Sequence, residues 1–216
     1  MKPQLVVFDL DGTLIDTMGD YADQAATLIK AHYGCDYEWA RQRYLETSGL
    51  PFIGQLDALF PGDTRNQPVA EAFERWKDGY LAERARLSPG TARLLERLRS
   101  KGWLLAISSN NLEPYVLRLT QGWPVDAALG YRAGDGFRKG EPHFRWLESR
   151  FQVPREAMLF VGDSPNDARL AREAGVSFAA LLDAGFEAGA YRRHHPGARF
   201  LPDLQALEGL LGTYAA

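Results

Sequence analysis

The sequence has a single cysteine, little net charge and no long apolar run. Because Cys35 is the only cysteine, an internal disulfide is excluded, and we interpret this residue as a small, at least partly buried apolar side chain. A net charge of −3 gives no electrostatic reason to bind nucleic acid or an anionic membrane. No stretch approaches the roughly 20 apolar residues that span a bilayer. An apolar run already begins at Leu5 and leaves no room for a signal peptide, so we expect a cytoplasmic protein with neither nucleic-acid nor membrane partners.

Short apolar runs recur along the chain and alternate with segments of helical spacing. With 216 residues and 45% hydrophobic content, the chain is long enough for one buried core plus an insertion. The clearest runs are Leu5–Phe8, Leu104–Ile107 and Met158–Val161. This alternation predicts an α/β fold with a doubly wound parallel sheet that is covered by helices on both faces. We further expect strands at 127–129 and 178–182, and helices over 16–33, 91–100, 141–151, 165–174 and 201–211.

An acidic motif, Asp9-Leu10-Asp11-Gly12-Thr13, directly follows the first apolar run. Two carboxylates this close raise each other's pKa unless a cation lies between them. A hard divalent ion such as Mg²⁺ prefers oxygen ligands and leaves room for a phosphate. Gly12 allows a tight exit from the strand, and Thr13 places a hydroxyl beside the carboxylates. The alternative is an ordinary turn, in which Asp, Gly and Thr are all common.

Three later segments place polar side chains at the ends of predicted elements. Ser108-Ser109-Asn110 follows the second apolar run, Lys139 precedes a predicted helix, and Gly162–Asp167 follows a third run. In open parallel α/β sheets, ligands collect at the carboxyl ends of the strands. These segments can therefore bring three carboxylates, a hydroxyl and an ammonium to one place. Taken alone, Lys139 is typical of a solvated surface lysine, and a strand-end serine is typical of a local cap.

In this order, the four segments resemble the motifs of the haloacid dehalogenase superfamily, which consists mostly of phosphohydrolases. The resemblance covers nearly the whole chain. Motif one is Asp9–Thr13, and motif two is placed at Ser109–Asn110 with Ser108 as an alternative register. Motif three is Lys139, followed by Gly where the family has Pro, and motif four is Gly162–Asp167.

The resemblance implies phosphoryl transfer through an aspartyl-phosphate. Asp9 is then the nucleophile, and Asp11 is the general acid that protonates the leaving alkoxide and later activates water. Mg²⁺ would be held by the carboxylates of Asp9 and Asp163 and by the backbone carbonyl of Asp11. Lys139 is suited to hold both Asp9 and a phosphate oxygen, and Ser109 to hydrogen-bond another.

Three further residues are assigned supporting roles beside these. We interpret Thr13 and Asn110 as substrate-binding, with Asn110 contributing its backbone N–H. Asp167 is interpreted as a group that orients Lys139 or a metal-bound water rather than as a metal ligand.

Residues 16–86 lack convincing alternating strands and are broken at Gly49-Leu50-Pro51 and Phe60–Asp63. We predict that residues 1–15 and 87–216 form a catalytic core and that residues 16–86 form a helical cap. The resemblance implies that this cap is of the C1 type. A lid of this kind excludes water and contacts the part of the substrate that does not react.

The cap contains one loop that the resemblance singles out. Thr47–Pro51 is similar to the cap loop that reaches the active site in phosphoglycolate-phosphatase-like members, which makes Ser48 and Gly49 candidate substrate-binding residues. A Gly-Pro break between two cap helices is the alternative. Asp16 is expected to cap or begin the first cap helix.

Together these features predict a Mg²⁺-dependent phosphatase for a small phosphorylated metabolite, acting as a monomer or homodimer. The carboxyl at Asp11 favours phosphate esters, because the dehalogenase branches of the superfamily generally lack it. A sugar-phosphate mutase and a non-catalytic phosphate-binding protein remain alternatives. A signalling receiver domain is disfavoured, because receivers have no large helical insertion after the first strand.

We expect His32 and His143 to be structural and Arg192–His195 to be a solvated face.

Overall fold

A continuous apolar strand, β1 (Leu5–Phe8), lies at the centre of a parallel sheet and is fully buried. Residues 3–83, 85–132, 134–182 and 186–214 are described by a computed structural model. Within these ranges, six strands form one sheet in the order β3-β2-β1-β4-β5-β6. The other strands are β2 (Leu104–Leu112), β3 (Ala127–Tyr131), β4 (Met158–Gly162), β5 (Ser177–Leu181) and β6 (Arg199–Leu201). The predicted parallel, doubly wound α/β fold is confirmed. A strand covered on both faces is expected to lack polar alternation, as β1 does.

The strand order reverses between β1 and β4, which are hydrogen-bonded neighbours. Leu5 pairs with Leu104 on one side and with Met158 on the other, so the three strands begin at the same level, and β1 and β4 end within one residue of each other. The crevice at such a reversal is where open α/β sheets bind ligands. The motifs that follow β1 and β4 therefore meet there.

The chain divides into two compact units, Met1–Ile15 with Arg86–Ala216 and Asp16–Ala85. The first unit contains the sheet, and its role as a catalytic core is a proposal, as is the role of the second as a cap. Helices of the second unit are α1 (Met18–Tyr33), α2 (Tyr37–Glu46), α3 (Phe52–Leu59) and α4 (Asn66–Glu83). Those of the first are α5 (Pro89–Ser100), α6 (Glu113–Leu119), α7 (Glu141–Phe151), α8 (Pro165–Glu173), α9 (Ala188–His194) and α10 (Leu207–Thr213).

Each unit has an aromatic core of its own. In the first, Phe160 on β4 contacts Phe144 of α7 edge-on, with ring centroids 5.3 Å apart, and Phe178 of β5 at 5.9 Å. In the second, the Tyr21 ring contacts Phe73 at 5.9 Å. None of the helices in the described ranges has the length and apolar character needed to cross a membrane.

Two local expectations are wrong. The helix expected over 201–211 is replaced by β6, a 3-10 turn at Leu204–Ala206 and the shorter α10. Pro202 explains the difference, because a proline disfavours helical backbone in the residue before it, and the Asp203 carboxylate then accepts the Ala206 N–H. Asp16 does not cap α1, since that helix begins at Met18 with Thr17 at the N-cap position.

The loop between α2 and α3 contains the two candidate cap residues, Ser48 and Gly49. Ser48 is buried, and Gly49 has a φ of 87°, a left-handed conformation that favours glycine. The buried Gln55 fixes the loop from α3: its Oε1 accepts the Thr47 hydroxyl at 2.9 Å and its Nε2 donates to Leu50 O at 3.2 Å. Substrate binding by Ser48 and Gly49 stays a prediction.

Candidate active site

Asp9 and Asp11 lie in a tight turn at the carboxyl end of β1. The Asp9 N–H donates to Val161 O at 2.9 Å, which ties the start of the turn to β4. Gly12 has a φ of 77° and donates its N–H to Ile15 O at 2.8 Å, so the chain folds back immediately. Glycine is required at this point because other residues rarely adopt that backbone. Both carboxyl-bearing residues are thereby held at the strand end.

The segment after β4 places Asp163 and Asp167 next to this turn. Ser164 caps α8 by accepting the Asp167 N–H at 3.1 Å, and Asp167 Oδ2 in return accepts from Ser164 N at 3.1 Å and Ser164 Oγ at 2.7 Å. A Cβ on Gly162 would lie 2.8 Å from Asp167 Oδ2, so a glycine is needed for this approach. The capping box thus fixes the Asp167 carboxylate in a buried position.

Lys139 joins these two acidic segments. Its Nζ lies 2.7 Å from Asp9 Oδ1 and 2.6 Å from Asp167 Oδ1, and its side chain is only 3% exposed. The next residue, Gly140, has a φ of 105°, which a proline could not adopt because its ring fixes φ near −65°. Glycine in place of the family's proline therefore reflects the backbone conformation of this loop. The Lys139 ammonium still contacts the two carboxylates.

Oxygens of Asp9, Asp163 and Asp167 lie within 4.8 Å of one another, and all three residues are buried. Burial raises the pKa of Asp9 to about 7; the Lys139 ammonium opposes this shift and the Asp167 carboxylate adds to it. Burial likewise raises the pKa of Asp163 well above its usual range, and the charge of Asp9 adds to the effect. Burial alone would lower the pKa of Lys139, but the neighbouring carboxylates outweigh it and raise that pKa.

This donor set fits a divalent cation. One ammonium can balance the charge of only one of three carboxylates, and a doubly charged ion could neutralise the other two. Asp167 uses Oδ2 for Ser164 and Oδ1 for Lys139, so the side chains best placed to hold Mg²⁺ are Asp9 and Asp163. Ligation through the backbone carbonyl of Asp11 stays an expectation from the resemblance.

Two neighbours steady Asp163. Thr13, interpreted from the sequence as substrate-binding, has its hydroxyl 3.4 Å from Asp163 Oδ1. The fully buried Tyr191 donates its hydroxyl to the backbone carbonyls of Asp163 at 2.7 Å and Leu181 at 3.1 Å. Sequence reasoning missed Tyr191, because a tyrosine in a helix far along the chain carries no local sign of such a contact.

The hydrogen bonds of β2 favour Ser109 over Ser108 as the phosphate-binding hydroxyl. His143 Nε2 lies 3.1 Å from Gly130 O, and a carbonyl can only accept, so Nε2 carries the proton. His143 Nδ1 then accepts the Ser108 hydroxyl at 2.8 Å. Ser109 Oγ instead accepts the Asn111 N–H at 3.0 Å, which leaves its own proton to donate. The half-buried Asn110 lies between these two residues.

Sequence reasoning also missed Asn111. Its side-chain Nδ2 donates to Asp11 Oδ2 at 2.7 Å, and the residue is buried at 4% exposure. The only signal in the sequence is a second asparagine one residue beyond the motif, and nothing in that pattern indicates its partner. The structure thus connects the segments of Asp11 and Ser109 through Asn111.

His143 should make the stability of the protein sensitive to acid. Burial lowers the pKa of His143 to about 3, against an ordinary value near 6.5. As the pH falls, the imidazole is therefore protonated in the unfolded chain before it is protonated in the folded protein. The stability that is present above pH 6.5 is lost as the pH falls toward 3. Between pH 7 and 4.5 we expect His143 to account for a loss of about 2–3 kcal/mol in the free energy of unfolding, measured by urea denaturation.

His143→Gln should flatten this part of the pH profile, whereas His32→Gln, at an exposed position, should leave it unchanged. Identical slopes for wild type and His143→Gln would contradict the assignment.

Comparison with known proteins identifies the family and the fold of this sequence. The sequence profile of the haloacid dehalogenase-like hydrolases matches residues 6–181. A phosphoglycolate phosphatase from Vibrio parahaemolyticus is 30% identical over 185 residues, 81% of each chain. Another from Mesorhizobium japonicum is 29% identical over 211 residues, 92% of this chain and 90% of its own. A haloacid dehalogenase-like family hydrolase from Streptococcus pneumoniae, 20% identical, has a similar fold with a TM-score of 0.76 over 97% of this chain and 99% of its own.

Proposed function

This chain belongs to the haloacid dehalogenase-like hydrolases, and on that premise we propose that it is a Mg²⁺-dependent phosphatase that cleaves a small phosphomonoester through an aspartyl-phosphate. One observation carries the proposal: the Lys139 ammonium lies 2.7 Å from Asp9 Oδ1 within a buried group of three carboxylates. Such a group is costly to bury unless a cation neutralises it. A divalent ion bound there would also attract the anionic phosphate of a phosphomonoester, which the Lys139 ammonium can contact.

The reaction begins at the carboxyl end of β1. Asp9 attacks the phosphorus, the ester P–O bond breaks, and the Asp11 carboxyl gives its proton to the departing alkoxide. Asp11 then takes a proton from water, which attacks the aspartyl-phosphate and releases inorganic phosphate and a free Asp9. Bound Mg²⁺ supplies charge neutralisation between the anionic nucleophile and the phosphate, and Asp9 and Asp163 would hold it.

The other polar groups act by positioning. Lys139 holds Asp9 and a phosphate oxygen, while Asp167 keeps the lysine in place. Ser109 donates to a second phosphate oxygen, with help from Asn110. Thr13 steadies Asp163 from a distance of 3.4 Å in addition to the substrate contact expected of it.

Selection of the leaving group is assigned to the unit Asp16–Ala85, with Ser48 and Gly49 as its candidate contacts. Phosphoglycolate is the first substrate to test, because relatives 29–30% identical to this chain are phosphoglycolate phosphatases. A cytoplasmic location and a monomeric or homodimeric state remain part of the proposal.

Phosphate release from a panel of esters tests this function. Phosphoglycolate, sugar phosphates and nucleoside monophosphates should be assayed with Mg²⁺ and with a chelator, beside a preparation carrying Asp9→Asn. We expect turnover of at least one ester with Mg²⁺, and none with chelator or in the variant. Release that persists in chelator would contradict the metal requirement. Absence of release throughout would overturn the phosphatase proposal and call for an assay of sugar-phosphate isomerisation.

A further inference from the structure

Asn111 makes two hydrogen bonds that connect the proposed phosphate-binding hydroxyl to the proposed general acid. Its backbone N–H donates to Ser109 Oγ at 3.0 Å, and its side-chain Nδ2 donates to Asp11 Oδ2 at 2.7 Å. The second bond joins residues 100 positions apart in the chain. Because Asn111 is only 4% exposed, little water competes for these contacts.

An irregularity in β2 gives Asn111 this position. The pairing of β2 with β3 shifts register between Ser108 and Leu112. Opposite the shift lies Gly130, where a Cβ would stand 2.4 Å from Glu113 Cα and 2.9 Å from Asn111 O. Only a glycine lets the backbone of β3 approach so closely, and bulges of this kind change the direction in which a side chain points. The sheet itself thus fixes the Asn111 amide.

We propose that Asn111 is a positioning residue that holds the Asp11 carboxyl in the orientation required for proton transfer, an inference that rests on the proposed function. An amide N–H can only donate, so it binds the Asp11 oxygen that carries no proton. This bond keeps Oδ2 as an acceptor and fixes the plane of the carboxyl group, so Oδ1 is the oxygen assigned to proton transfer in the proposed reaction. As the ester P–O bond breaks, the proton passes from Asp11 Oδ1 to the leaving oxygen.

Leaving-group dependence tests the proposal. An alkyl ester needs the proton because its alkoxide is a poor leaving group, whereas 4-nitrophenyl phosphate expels a stabilised anion and needs it little. The quantity to compare is kcat/KM, because it reports the steps up to aspartyl-phosphate formation and excludes the later hydrolysis common to both esters. We expect Asn111→Ala to lower kcat/KM about 30-fold or more for the best alkyl ester of the panel, and less than about 3-fold for 4-nitrophenyl phosphate.

Asp11→Asn provides the benchmark and should show the same asymmetry at larger size. Adding Asn111→Ala to it should cost little more, because both changes affect one proton transfer. Asn111→Ser, which is too short to reach Asp11 but keeps a polar side chain, serves as a second variant if the alanine variant folds poorly.

Equal losses for the two esters would overturn the inference, since they would place Asn111 in substrate binding or in folding alone. Full additivity with Asp11→Asn would overturn it as well. A wild-type protein that hydrolyses neither ester would overturn the proposed function and this inference together.

Discussion

Replacement of Asp9 by Asn is expected to lower phosphatase turnover by at least about 10⁴-fold and, at the same time, to make the protein more stable. The loss follows because the amide cannot attack phosphorus as a carboxylate does. The gain follows because burial raises the pKa of Asp9 to about 7, which means that the fold disfavours its ionised form. Lys139 keeps a partner in the variant, since its Nζ lies 2.6 Å from Asp167 Oδ1.

The stabilisation should depend on pH in a defined direction. A carboxyl whose folded pKa lies above its unfolded value costs stability when ionised, so the cost is largest above pH 7 and fades as the pH falls toward 4. In chelator at pH 8 we expect Asp9→Asn to raise the free energy of unfolding by about 1–3 kcal/mol, and by less at pH 5.

Urea denaturation beside phosphate-release assays measures both effects on the same preparations. Asp16→Asn is the matched control, because Asp16 is exposed, and it should change stability by less than about 0.5 kcal/mol and leave turnover intact. An Asp9→Asn protein that is active would exclude Asp9 as the nucleophile. One that is inactive but less stable than wild type would show that the fold does not disfavour the ionised Asp9 carboxyl as inferred.

Lys139→Met is expected to have the opposite effect on stability. Methionine is unbranched like lysine and replaces its chain up to Cε, but it leaves Asp9, Asp163 and Asp167 without the neighbouring ammonium. Removing one partner of a buried charge pair typically costs about 3–5 kcal/mol, and we expect a loss of that size in the free energy of unfolding at neutral pH without metal. Turnover should fall by about 10³-fold, because the phosphate and the nucleophile lose a shared positive contact.

Cations and protons should rescue this variant in part. Mg²⁺ or a lower pH reduces the net negative charge of the carboxylates, so either should recover some of the lost stability in Lys139→Met. Lys101→Met is the matched control: the Lys101 side chain is 59% exposed in its ion pair with Glu208, and such pairs contribute at most about 1 kcal/mol. If the two lysine variants unfolded alike, the buried ion pairs of Lys139 would not have the energetic role assigned to them.

Local patterns in the sequence were sufficient for the fold class and for the family. The apolar runs that became β1 and β4 lack polar alternation because both faces of the sheet are covered, and that property is visible without any structure. Because ligands collect at the carboxyl ends of parallel strands, the sequence also predicted that Asp9 and Asp163 lie close together. Local reasoning failed at the start of 201–211, where Pro202 follows a strand and the helix predicted from apolar spacing begins only at Leu207.

Contacts between distant residues were decided only by the tertiary structure. The preference for Ser109 over Ser108 depends on the proton position of His143, 35 residues away, and the hydrogen bond from Asn111 to Asp11 spans 100. Close approaches at Gly162 and Gly130 likewise follow from backbones that meet in space. Sequence periodicity indicates which face of a helix or strand is buried. A single hydrogen bond between two separate elements produces no repeating pattern in the sequence, so periodicity cannot predict it. The sequence by itself therefore determined the fold class and the main candidate groups of the site, and the packing of the strands determined how those groups are held.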